Sequence, residues 1–148
     1  MATPRTKEEA LQQMRLMWFG FIVTIPLYIY MGETMTGFSW LNFSYAGKTF
    51  AVLSILDLYC FMWAWRKRYS PALGAIQREP ENIHAVRRWM SSWTILICMA
   101  ESETLFGFAF RKGDKTLQQS LPFYIVGLLL TLWLWPRHAW SSTKIGTQ

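Results

Sequence analysis

Four apolar stretches, at 16–31, 49–65, 90–110 and 121–135, constrain this chain more than any other feature. A helix that crosses the hydrocarbon core of a bilayer needs about 20 mostly apolar residues, with a range of about 17–25. With their aromatic and small polar flanks, the stretches become spans at about 14–33, 48–66, 88–110 and 120–137. Backbone groups in hydrocarbon have no water to bond, so each span reads as an α-helix. The expected fold is all-α, a four-span transmembrane helical bundle forming a single integral membrane domain over residues 1–148. Composition agrees, with 52% hydrophobic and 16% charged residues, where about 25% charged is usual for soluble domains. That balance excludes a disordered tail, a disulfide-rich secreted module and an ordinary water-soluble enzyme domain.

The net charge of +6 would suit nucleic acid, but the basic residues cluster at the ends of the apolar stretches. That is the pattern of membrane-protein loops, so no nucleic-acid partner is expected and the lipid bilayer is. With four spans, both termini and the 66–88 loop share one side. That side carries Arg5, Lys7, Arg15, Arg66, Lys67, Arg68, Arg78, Arg87, Arg88, Arg137 and Lys144. The other carries Lys48, Arg111, Lys112 and Lys115. The positive-inside rule then puts both termini in the cytoplasm, with the bacterial inner membrane as the expected location.

The long charged lead-in, Pro26 in the apolar core and the lack of a small-x-small site at 34–36 read against a cleaved signal peptide. Thr6 and Glu9 fit a capping box that starts the first helix ahead of the membrane, and Pro26 is expected to kink it. Ser70-Pro71 and Glu79-Pro80 are turn or helix-start signals around a short surface helix near 71–78. Cys60 and Cys98 lie inside apolar stretches and read as buried free thiols acting as small hydrophobes.

The two halves of the chain echo each other. Met31-Gly32-Glu33-Thr34 matches Met99-Ala100-Glu101-Ser102, and Trp63-Ala64-Trp65 matches Trp133-Leu134-Trp135, at similar offsets. The readings are a duplicated helical hairpin packed as a pseudosymmetric bundle, or chance in a chain rich in Trp, Met and Gly.

Acids inside the spans carry the functional information. At about 1.5 Å of rise per residue, Glu101 lies about 18 Å past Trp89 and Glu103 about 21 Å. Asp57 lies about 13–14 Å past Lys48, and Glu33 falls near the outer interface. A charge at the bilayer centre costs at least about 2.5–3.5 kcal/mol, so such groups face protein or water. Neither Asp57 nor Glu101 has a basic residue within its span, so neutral acids are expected. Thr104 offers Glu101 a local partner. Glu103 projects about 200° away from Glu101 around the helix, so one is expected to face the bundle and the other a partner protein. Two roles stay open for these residues: a proton- or ion-binding carboxylate in a translocation path, or a neutral acid that joins helices or subunits.

The stretch Met99-Ala100-Glu101-Ser102-Glu103-Thr104-Leu105-Phe106-Gly107-Phe108 resembles the carboxylate helix of rotary-ATPase proteolipid c subunits. Those helices carry an acid amid small residues with an aromatic–Gly pair beyond it, and duplicated four-span hairpins occur among them. The resemblance implies that Glu101 is the ion-carrying carboxylate. The chain departs from that family in having 9 Gly against 10 Phe, 9 Trp and 6 Tyr, and in its long basic loop. Glu101 also sits in the third span rather than in the second helix of a hairpin.

Tryptophans and tyrosines at the span ends read as aromatic belts at headgroup level. His84 and His138 lie at the ends of spans, which gives haem no paired axial ligands. No cofactor, metal site or catalytic residue is expected, because no nucleophile–base pair, Cys/His cluster or phosphate loop can be assembled. Gly20-x-x-x-Thr24 and Gly127-x-x-x-Thr131 fit the small-xxx-small packing pattern. The expected function is that of a small non-catalytic membrane protein, an accessory or assembly subunit of a larger membrane complex. Its partners would be other membrane subunits or further copies of itself. The alternative is a proteolipid-like protein that handles a proton or ion through a buried carboxylate.

Overall fold

A computed structural model describes residues 6–34, 46–112 and 116–136, and these are helical with short turns. The helices are α1 (Lys7–Thr34), α2 (Ala46–Ala64), α3 (Ser70–Arg78), α4 (Ile83–Lys112) and α5 (Leu117–Trp133). A π-helical turn, Trp65–Tyr69, joins α2 to α3 without a break. Three helical runs are long and apolar enough to cross a membrane, namely Lys7–Thr34, Lys48–Arg78 and Ile83–Lys112. α5, with 17 residues, is a shorter apolar helix.

The helix starts follow local chemistry. Thr6 Oγ1 accepts from the Glu9 N–H at 3.2 Å while Glu9 returns a carboxylate oxygen to the Thr6 N–H, so the expected capping box forms. A second box, Thr116 with Gln119, opens α5. Asn82 Oδ1 caps α4 by accepting from the N–H groups of His84 and Ala85. α1 stays helical through Pro26, which sits on an exposed face.

Ser70-Pro71 does not interrupt the chain as a turn. The Ser70 N–H reaches the Trp65 carbonyl, one residue further back than an α-helical bond. Proline has no N–H to give and its ring crowds the carbonyl four residues earlier, so the wider turn ahead of Pro71 accommodates it. α3 is also not a free surface helix, because Ala72 and Ile76 are buried.

α4 is the central helix and packs against α1, α2, α3 and α5, whereas α1 also touches α5. The core lies at the end of the bundle that carries α3. There Ala10 and Met14 of α1, Phe61 of α2, Ile76 of α3 and Trp89 and Trp93 of α4 close together. Trp89 and Trp93 are 1% and 0% exposed, so they are core residues and not belt residues. Two indoles terminate α5. Trp18 Nε1 donates to the Thr131 carbonyl at 2.7 Å, and Trp93 Nε1 donates to the Leu134 carbonyl at 2.9 Å. A helix end leaves its last carbonyls without intrahelical partners, and these indoles supply the donors from two other helices. Cys60 and Cys98 are free, as expected, but both side chains face outward rather than into the core.

Candidate functional site

α4 carries acid and hydroxyl in strict alternation at Glu101, Ser102, Glu103 and Thr104. Successive helical residues are about 100° apart, so four in a row address every neighbour of a central helix. Glu101 turns to α1, where Thr24 Oγ1 donates to its Oε1 at 2.6 Å. Glu103 turns to α2, where Ser54 Oγ donates to its Oε2 at 2.6 Å. Ser102 also meets α2 and reaches Asp57 Oδ2 at 2.9 Å. Thr104 donates to the Glu101 carbonyl at 2.8 Å, so its hydroxyl serves its own helix.

The structure therefore places Glu101, Glu103 and Asp57 in one layer, each joined to a hydroxyl of a neighbouring helix. Glu101 and Glu103 do face different ways, as their spacing requires. The expectation that one of them faces a partner protein is corrected, since they are 6% and 0% exposed within this chain alone. α2 supplies the missing face. The hydroxyl partners Thr24 and Ser54 were not foreseen, although Ser54-x-x-Asp57 does place a hydroxyl and an acid on one side of α2.

Proton counting adds chemical detail. Thr24 Oγ1 lies 2.7 Å from the Phe21 carbonyl oxygen as well as 2.6 Å from Glu101. Ser102 Oγ likewise lies 2.6 Å from the Met99 carbonyl and 2.9 Å from Asp57. A hydroxyl has a single proton, whereas a neutral carboxylic acid is itself a donor. Both contacts of each hydroxyl are satisfied when the acid carries a proton, giving a relay from carboxyl to hydroxyl to backbone carbonyl. Two carboxyl oxygens, Glu101 Oε2 and Glu103 Oε1, are buried without a hydrogen-bond partner among the described residues. Tyr28 of α1 is within electrostatic reach of Glu101.

Glu33 lies apart from this layer. It is half-exposed at the far end of α1 and pairs with Arg111 of α4 at 3.0 Å. A pair this exposed contributes about 0–1 kcal/mol and ties the ends of the two helices. His84 is exposed near Arg78, Glu79, Asn82 and Arg88 at the α3 end, away from the acid layer, and His138 lies outside the described residues. Among the described residues, no group of three or more His, Cys, Asp or Glu is placed to hold a metal ion. The layer can bind helices together and can hold protons, and it contains no nucleophile with a base beside it. Comparison with protein-family models, curated proteins and solved structures finds no match to this chain.

Proposed function

We propose that the chain is a non-catalytic four-span protein of the bacterial inner membrane, an accessory or assembly subunit of a larger membrane complex. α5 would be the fourth span, its 17 residues rising roughly 26 Å before Leu134 ends it. Both termini would lie in the cytoplasm, on the side holding α3 and most of the arginines. The observation that carries this reading is the placement of α2. It meets the membrane part of the bundle through α4 and leaves large apolar side chains exposed around the rest of its circumference, Ile55 at 67% and Tyr59 at 70% among them. With the acids engaged inside the chain, that outward surface is what the molecule offers to others. Lipid would cover the same surface, so native mass is the deciding measurement.

The test is extraction from the native membrane in mild detergent, followed by native mass and identification of co-migrating proteins. Different proteins at fixed stoichiometry are the expected result. A monomer or a ring of identical copies would overturn the reading. A specific observation favours the second reading, a proteolipid-like protein that handles a proton or ion. The open buried oxygens of Glu101 and Glu103 are acceptor positions that a protein rarely leaves unfilled. On that reading Glu101→Gln abolishes proton binding while assembly survives, and a carbodiimide labels Glu101. On the subunit reading the same variant assembles and works.

A further inference from the structure

Positions 59, 62, 63, 66 and 67 follow the i, i+3, i+4, i+7, i+8 spacing of a single helical face. On this face of α2 and the π turn they line a groove of about 440 Å³ that opens outward. Its wall changes character within one turn. Tyr59, Met62 and Trp63 are 70%, 41% and 52% exposed and form the apolar part, and Arg66 and Lys67 follow directly. The π turn sets this arrangement. Trp65 turns inward to stack on Trp133 at 4.8 Å and on Tyr69 at 4.7 Å, which leaves the adjacent Arg66 and Lys67 outward. Neither cation forms an ion pair among the described residues.

We propose that this groove seats one anionic phospholipid, with its phosphate on Arg66 and Lys67 and an acyl chain along Met62, Trp63 and Tyr59. A guanidinium matches two phosphate oxygens in a fork, and an adjacent ammonium adds a second charge. The apolar residues lie deeper along the helix than the cations, in the order of a lipid's own tail and headgroup. Basic grooves on the cytoplasmic side of membrane helices are suited to such headgroups. The inference needs α2 to cross the bilayer, but it does not depend on the subunit role. A purified chain therefore tests it whether or not partners exist.

The experiment is native mass spectrometry of the full chain in mild non-ionic detergent. Dioctanoyl phosphatidylglycerol, dioctanoyl phosphatidylcholine or inorganic phosphate is added in separate titrations. One phosphatidylglycerol per chain is expected at concentrations where phosphatidylcholine is not retained. Arg66→Gln with Lys67→Gln should weaken retention about tenfold, the effect of losing one charge-assisted contact. Arg87→Gln with Arg88→Gln, exposed cations on α4, should leave it unchanged, and circular dichroism checks that each variant is helical. The single Lys67→Gln variant serves if the pair does not fold, with a smaller loss in the same direction. Equal retention of phosphatidylcholine overturns the proposal. So does an equal loss in the Arg87/Arg88 variant, or displacement of the lipid by equimolar inorganic phosphate.

Discussion

α4 meets α5 and α2 at the same depth, but the two contacts are built differently. Against α5 the backbones come close. A Cβ added at Gly127 would fall 2.4 Å from Thr104 Cγ2 and 3.1 Å from the Ala100 carbonyl oxygen. One added at Gly107 would meet Phe123 and Tyr124 at 3.2 Å. Against α2 no glycine is involved, and the contact at this level runs through Ser54, Asp57, Ser102 and Glu103. Lipid tails are as apolar as leucine, so helices in a bilayer associate through close packing or through hydrogen bonds between them. α4 uses the first with α5 and the second with α2. Dispersion depends on tenths of an ångström, whereas a hydroxyl and a carboxyl find each other over a broader range of geometry. The α4–α5 pair is therefore the rigid part of the molecule, and α2 is the part that separates from α4 at lower cost.

The largest effect that this contrast predicts is at Gly127. Gly127→Ala puts a methyl group against both a side chain and the backbone of α4, and the backbone cannot swing away. We expect a loss of about 1–3 kcal/mol, the range for overpacking a tight contact, read as unfolding in mixed detergent micelles by circular dichroism. A change below about 0.5 kcal/mol, the scale of surface substitutions, would mean that the seam is not rigid. On the α2 side the effects are smaller. Glu103→Leu and Ser54→Ala, combined in a double-mutant cycle, should couple by about 0.6 kcal/mol and by no more than about 1.7. The modest value reflects serine's ability to turn its hydroxyl to its own helix carbonyls once the acid is gone. Zero coupling would remove the hydrogen bond as the link between α2 and α4.

The sequence reveals the helices because each apolar stretch is longer than a soluble core requires and its ends carry readable caps, such as Thr6 with Glu9. It also shows that Glu101, Glu103 and Asp57 lie deep, since depth is only a count of residues. The partners of these acids are not legible. Which hydroxyl meets which carboxyl depends on how each helix is rotated about its axis, and α1 and α2 are apolar on nearly every face. The same ambiguity affects tryptophan. Trp63 and Trp93 look alike in an apolar sequence, yet Trp63 is half-exposed and Trp93 is buried as a donor to α5. The internal echo between the halves predicts two similar hairpins, whereas α4 and α5 pack along a glycine seam and α1 and α2 meet different faces of α4. Packing partners follow from rotation and distance, and short sequence matches encode neither.

Gly20-x-x-x-Thr24 and Gly127-x-x-x-Thr131 make the sharpest case, because the two motifs are equivalent as sequence. Thr131 is buried and bonds the Gly127 carbonyl, in a helix whose Gly127 touches α4. Thr24 serves Glu101, and a Cβ added at Gly20 meets nothing within 4 Å. Gly20→Ala therefore relieves a flexible glycine in a helix without crowding any neighbour. The expected change is neutral to stabilising, at most about 1 kcal/mol, the propensity difference between the two residues. The sign is opposite to that at Gly127, although the substitution and the motif are the same. Measuring both variants in the purified chain isolates packing from propensity, since propensity acts equally on each. A loss at Gly20 as large as that at Gly127 would show that a second molecule closes on this face of α1. A loss seen in the native assembly and not in the isolated chain would assign that face to the partner.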